Sequence, residues 1–174
     1  MLLYRPLQLS EAERITEIDA THFIRNAWRK DASGEYRLTE INWTDNALPN
    51  GLPWHLRRFR EALRAGGVAF GCFDGDRLLG YATVWGSVFG QQDYVLLDQL
   101  FVSAPCRGRG IGKALFALCA GQARRIGGKK LYLCAGSAEN TIAFYHALGC
   151  VSAVQPDPVL AAEDPRDIQM EYLL

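Results

Sequence analysis

The chain has 174 residues, 49% hydrophobic and 22% charged, with 19 basic residues against 19 acidic ones. That length suits one domain, which buries roughly 70% of its unfolded surface and needs no covalent staples. Net neutrality leaves no basic excess to neutralise a phosphate backbone, and 11% aromatics with this apolar content argue against disorder, so neither a nucleic-acid platform nor an unstructured chain is expected.

Leu2 to Leu9 reads as a first strand, marked as an edge by Pro6. Ser10, three residues before Glu13, forms a capping box that opens a helix through about Trp28; Ile15, Ile18, Ile24, Ala27 and Trp28 follow helical spacing loosely. Residues 29–53 are irregular and polar yet carry Tyr36 and Trp43, which reads as a binding loop or lid. A helix from about Trp54 to Ala65 is closed by Gly66 and Gly67. GVAFGCF (67–73) and LLGYATVWG (78–86) flank Asp74-Gly75-Asp76, a hairpin signal. DYVLLDQLFVS (93–103) is a third strand, Ile111 to Ile126 a helix stopped by Gly127 and Gly128, and KLYLCAG (130–136) another strand. Ser137 is expected to cap a helix through Leu148, and a strand over about Ile168 to Leu173 ends the chain. The order is that of a mixed α/β sheet.

Five scattered cysteines (Cys72, Cys106, Cys119, Cys134 and Cys150), with no C-x-x-C pair, read as thiols of a reducing compartment and not as a disulfide frame or metal site. The opening residues lack the apolar run of a signal peptide, and no stretch of 18 apolar residues follows, so a soluble cytoplasmic protein without a membrane partner is expected.

The chemistry concentrates in Val102 to Lys113, VSAPCRGRGIGK, where a strand runs through a glycine-rich turn into a helix. Gly108, Gly110 and Gly112 clear side chains from the turn. Its amides, backed by the helix dipole, then converge as an anion site, with Arg107, Arg109 and Lys113 adding positive charge. A P-loop fails because Arg107 occupies its first glycine and Ala114 its Ser/Thr. The dinucleotide pattern fails because Leu115 or Lys113 falls on its third glycine, and the following strand ends in Ala135-Gly136 without the expected acid.

Arg107, Gly110 and Gly112 match Q/R-x-x-G-x-G/A. Together with LDQLFVS, KLYLCAG and NTIAFYHALG, they make residues 67–150 resemble the GNAT superfamily of acyl-CoA-dependent N-acetyltransferases. The resemblance implies a mostly antiparallel central sheet flanked by helices, with strands 93–103 and 130–136 splayed. It implies that acetyl-CoA lays its pyrophosphate on Arg107, Gly108, Arg109, Gly110, Ile111, Gly112 and Lys113, and its pantetheine arm along Leu100, Phe101 and Val102. No metal is implied, and dimers are common in proteins of this kind.

Tyr145, where the family often places a tyrosine near the coenzyme sulfur, is the implied general acid, and Asn140 an implied coenzyme contact. The acceptor is expected to be an amine of a small molecule or peptide; the alternative is a non-catalytic acyl-CoA-binding module. Asp98 lies in an apolar strand, two residues before Leu100 and on its face by period two. An acid there is costly without purpose or partner, so it is expected to relay a proton or bind the substrate ammonium, or else to pair with a cation. Asp19 and His22, one turn apart on the first helix, and Trp43, Tyr36 and Trp54 are candidate acceptor contacts. Cys134 is expected to be plain core.

Overall fold

The computed structural model describes residues 1–174. Nine strands form: β1 (Leu2–Leu7), β2 (His22–Lys30), β3 (Tyr36–Asp45), β4 (Val68–Asp74), β5 (Arg77–Val84), β6 (Tyr94–Val102), β7 (Lys130–Ala135), β8 (Val151–Ser152) and β9 (Ile168–Leu173). Four α-helices accompany them: α1 (Leu52–Arg64), α2 (Ile111–Arg125), α3 (Glu139–Ala147) and α4 (Pro158–Glu163). Seven strands make one sheet in the order β1-β4-β5-β6-β7-β9-β8, while β2 and β3 form a separate two-stranded ribbon. The sheet is mixed and mostly antiparallel, as expected, with β6 and β7 its parallel pair. No helix is long and apolar enough to cross a membrane.

Each face of the sheet has its own core. On one side α2 and α3 bury Leu115, Phe116, Cys119, Ile142 and Tyr145 against Val95, Leu97, Leu131 and Leu133. On the other, α1 and a 3-10 helix over Leu9–Glu17 bury Phe59, Ile15 and Ile18 against Ala69, Phe73, Leu78 and Tyr81. At about 25 cal/mol per Å² of apolar surface, these cores are the main stabilising term.

The N-terminal quarter departs from the sequence reading. The expected helix from Ser10 to Trp28 stops at Glu17 and is a 3-10 helix. Its capping box is Gln8 with Glu11, not Ser10 with Glu13. Arg5 fixes that register, since its guanidinium grips both Glu11 oxygens at 2.7 and 2.9 Å. Residues 22–30 are a strand, and the expected loop of 29–53 is largely its partner, β3. The connecting turn is built by Asp31, whose carboxylate accepts from the Ser33 and Glu35 amides, and by Gly34 at φ 85°. The register slips between Ile24 and Asn26, where Asn42 takes a left-handed φ of 45°. The ribbon docks on the end of β7: Trp28 N–H donates to Ser137 O at 2.8 Å, and Arg29 donates to Ser137 Oγ at 2.6 Å. Ser137 is therefore spent on Arg29. Ala138 is the N-cap of α3, and no side chain caps it.

One close approach fixes how α1 meets the sheet. A Cβ on Gly86 would lie 2.3 Å from the Gly66 carbonyl carbon and 2.7 Å from the Gly67 nitrogen, both backbone atoms. Gly86→Ala is expected to cost about 1–3 kcal/mol through overpacking. Urea unfolding should show it as a lowered midpoint with an unchanged m-value.

Candidate active site

Strands β6 and β7 pair only over Tyr94–Leu96 and Lys130–Tyr132, then separate. A local irregularity accompanies the parting. Along β5 the register passes from Gln99 opposite Thr83 to Leu97 opposite Val84, leaving Asp98 as an extra, bulged residue. A bulge bends its strand and re-aims side chains. Here it breaks the period-two pattern, and the expectation that Asp98 shares the face of Leu100 is corrected. Leu97, Leu100 and Val102 all pack on the α2 side. Asp98 and Gln99 both reach α1 on the opposite side.

Asp98 is paired with a cation. Arg58 of α1 donates from Nη2 to Asp98 Oδ1 at 2.6 Å and from Nε to Oδ2 at 3.1 Å. The side chains are 13% and 6% exposed, and losing one partner of so buried a pair costs about 3–5 kcal/mol. The Arg58 guanidinium also lies over the Trp54 and Trp85 rings, 5.5 and 5.3 Å from their centroids. Beside it, the buried His55 donates from Nε2 to Pro49 O at 2.7 Å. Its Nδ1 accepts from the Tyr81 hydroxyl and from Gln99 Nε2. Burial depresses the His55 pKa, which keeps the ring neutral for this role.

The parted strands open a cleft of about 1310 Å³. Leu100, Phe101, Val102, Arg107, Gly108, Gly110, Ile111, Gly112, Lys113, Asn140, Tyr145 and Asp98 all line it; of the residues expected to hold the coenzyme, Arg109 does not. The Phe101 ring is turned away, stacked on Tyr81 and edge-on to His55, so Phe101 offers the cleft its backbone. At one end the glycine turn enters α2. Gly108 and Gly110 take φ of 74° and 80°, which only glycine adopts without strain. No side chain caps the helix, and the amides from Gly108 to Lys113 have no acceptor in the protein. These are free donors at the positive end of a helix dipole. A Cβ on Gly112 would press the Phe144 ring at 3.2 Å, so α2 and α3 converge here because that glycine is bare. Arg107 braces the turn, donating to Val102 O at 3.0 Å and Thr21 O at 2.8 Å, and burial lowers its pKa.

The other expected contacts distribute unevenly. Asp19 and His22 are not on a helix. Asp19 sits in the turn after the 3-10 segment, where its N–H donates to Ser103 Oγ and its carbonyl accepts from Ala104 N–H. His22 begins β2 and hydrogen-bonds through Nε2 to Asn140 Oδ1 at 3.0 Å. Trp43 lines the cleft with its indole N–H held by Asp45, Trp54 lines the adjoining pocket, and Tyr36 lies away from both beneath Lys30. Tyr145 is 9% exposed, and burial raises its pKa, so the phenol keeps its proton. Its hydroxyl has no partner within the protein. Cys134 also faces the cleft and is not plain core. Burial pushes its thiol up to about 12, which leaves it protonated and a poor nucleophile.

Two residues escaped the sequence reading. Arg58 gave no signal beyond an amphipathic helix. Asp167 sits in the acid-rich run EDPRD ahead of β9, and burial raises its carboxyl to about 7.

The fold has close relatives in shape. A nourseothricin acetyltransferase superposes with a TM-score of 0.76 at 21% identity, covering 99% of this chain and 98% of the other. The PaiA N-acetyltransferase of Thermoplasma acidophilum, solved with coenzyme A, gives 0.64 at 16% identity over 100% and 99% of the two chains. The ribosomal-protein-S18-alanine N-acetyltransferase of Escherichia coli gives 0.60 at 16% identity over 99% and 94%. No curated protein matches by sequence. The model of the acetyltransferase (GNAT) family matches residues 24–150, a span that takes in the ribbon, the parted strands, the glycine turn and Tyr145, and the chain belongs to that family.

Proposed function

We propose that this protein moves an acetyl group from acetyl-CoA to a primary amine of a small molecule or peptide, by direct attack of the amine on the thioester. The observation that carries the reading is the row of acceptor-free amides from Gly108 to Lys113, opening on the same cleft as Tyr145 and the parted strands. A diphosphate supplies the acceptors those amides lack, and Lys113 adds a cation. Beyond Leu96 the edge of β6 has no strand partner on the β7 side, so the amide groups of a pantetheine arm add there as a short strand beside Leu100, Phe101 and Val102. Asn140 borders the same channel and is read as a coenzyme contact.

This seating puts the thioester at the divergence of the strands. The amine nitrogen attacks the carbonyl carbon, and an N–H on the β6 edge near Phe101 or Val102 stabilises the oxyanion. Tyr145 donates to the departing sulfur. Its neutral phenol suits this work, and its hydroxyl is not committed elsewhere. Asp98 does not act as a base in this reading, because both of its oxygens are engaged by Arg58. It positions the bulge, and so the gap. Names among the structural neighbours point both to a small molecule and to a protein as acceptors, and the cleft's exposed Trp43 with Asp45 fits a cationic amine of either kind.

Two outcomes are expected. Acetyl-CoA or CoA at about 100 times its Kd stabilises the fold by about 2.7 kcal/mol, a rise in Tm of roughly 5–10 °C, while ATP and NAD leave Tm unchanged. A thermal-shift series with no response to either CoA species removes the reading. Tyr145→Phe should lower kcat about 100-fold with the KM for acetyl-CoA nearly constant, measured by thiol release across a panel of amines. A wild-type protein that binds acetyl-CoA yet releases no thiol with any amine would instead be a binding module.

A further inference from the structure

The acetyl-transfer reading leaves open what takes the proton from the attacking amine. We infer that Asp167 does so, an assignment that rests on that reading and adds a residue to it. The placement comes first. Asp167 immediately precedes Ile168, which pairs with Ala135 at the end of β7 that has already left β6. Asp167 lines both the main cleft and the pocket that opens from it toward Trp54 and Arg58 of α1. Tyr145 lines the main cleft alone and packs on Phe116 of α2. The acid for the sulfur and the base for the nitrogen thus approach one gap from opposite faces of the sheet, which lets each reach its own proton on the tetrahedral intermediate. The Asp167 carboxylate is nonetheless close enough for its charge to act on both the Tyr145 phenol and the Cys134 thiol.

Availability comes second. Most of the neighbouring charges are engaged elsewhere: Arg29 donates to Ser137 Oγ and Arg57 lies 3.9 Å from Glu61. Asp98 is held by Arg58, and Glu163 lies 3.7 Å from the same guanidinium. Arg166 turns to Asp164, whose Oδ1 accepts from the Arg166 amide and lies 3.8 Å from its Nε. Lys113 and Arg107 belong to the other end of the cleft, and the Cys134 thiol and Tyr145 phenol are neutral. Asp167 presents its carboxylate to the cleft with no hydrogen bond on it, and the one cation that acts on it, Arg166, is outweighed by burial and by Asp164. Its backbone is firm, since its N–H donates to Asp164 O at 3.0 Å. Burial first and Asp164 second raise the carboxyl to about 7, which places it near the optimum for a proton acceptor at neutral pH.

The step balances. The amine lone pair forms the C–N bond as the carbonyl electrons move to oxygen, and Asp167 accepts the N–H proton. The oxyanion collapses, the C–S bond breaks, and the sulfur takes its proton from Tyr145. Asp167 then releases its proton to solvent, from which Tyr145 is restored. The products are the amide and free CoA thiol.

The test compares wild type, Asp167→Asn and Asp167→Glu, using acetyl-CoA and whichever amine of a panel of mono- and diamines wild type turns over fastest. D167N should lose about 100-fold in kcat while its acetyl-CoA affinity stays within threefold. The ratio of wild-type to D167N rate cancels the amine's own ionisation. It should climb about tenfold per pH unit up to about pH 7 and stay flat above it, because only the ionised carboxylate is lost. D167E should restore part of the rate and the same break in the ratio. Stability gives a reading independent of the acceptor. The folded carboxyl titrates well above its unfolded value, so wild type loses stability as pH rises from about 4 to 7. D167N should therefore gain in Tm over wild type at pH 8 and not at pH 4. A D167N enzyme with kcat within threefold of wild type, a raised KM alone, or a rate ratio flat across pH overturns the assignment. So does loss of acetyl-CoA affinity in step with activity. If D167N does not fold, D167E decides, and an unbroken wild-type pH profile in it overturns the proposal. Silence of wild type toward every amine is a different failure, that of the transferase reading itself.

Discussion

The structure turns on a failure of strand pairing that is held in place. Two parallel strands with apolar flanks would ordinarily continue their ladder, and each unmade buried backbone bond costs about 1–3 kcal/mol. Here β6 and β7 pair over three positions and part. The extra residue at Asp98 turns β6 aside, and the Arg58 pair and the His55–Gln99 network tie that bend to α1. The unmet backbone groups on the β6 edge are what a ligand with amide groups can satisfy, so the fold's local deficit and its binding capacity are one feature. This also explains an ion pair as buried as Arg58–Asp98. Such pairs contribute little net stability over apolar packing, but they define one geometry, and geometry is what the gap requires.

Charge divides the cleft. The glycine turn gathers free amides, a helix N-terminus and Lys113; elsewhere the lining carries Asp45, Asp164 and Asp167 together with Arg29 and Arg166, while Asp98 is neutralised by Arg58. In a cleft with low-dielectric walls these opposed fields act over short range without mutual cancellation. The chain's net neutrality, uninformative by itself, conceals this separation. What decides recognition is where the 19 acidic and 19 basic residues are placed.

The part of the molecule from 67 to 150 was legible because glycines punctuate strongly apolar runs, and because the turn at Gly108–Gly112 carries its own chemistry. The ribbon of β2 and β3 was not. Ile24, Ala27 and Trp28 stand at i, i+3 and i+4, the spacing of a helix face. In the strand Ile24 and Ala27 both reach the cleft wall, while Trp28 packs on the core. A register slip with Asn42 in a left-handed conformation breaks the alternation that would have announced β3. Asp98 breaks the pattern for the same reason: period two holds only between bulges, and the bulge falls on Asp98 itself. The Asp31–Gly34 turn was readable as a hairpin signal, but only once its flanks were seen as strands.

Asp167 shows where sequence reading reaches its physical limit. Nothing about an aspartate in EDPRD distinguishes a solvated loop acid from a cleft base, because the distinction lies in what surrounds it. Arg166 is adjacent in sequence and would be the natural partner, yet it turns to Asp164. Of the arginines in the adjoining pocket, Arg58 is spent on Asp98 and Arg57 lies 3.9 Å from Glu61. Burial dominates at Asp167 and, with Asp164 beside it, lifts its carboxyl toward neutrality against the pull of Arg166.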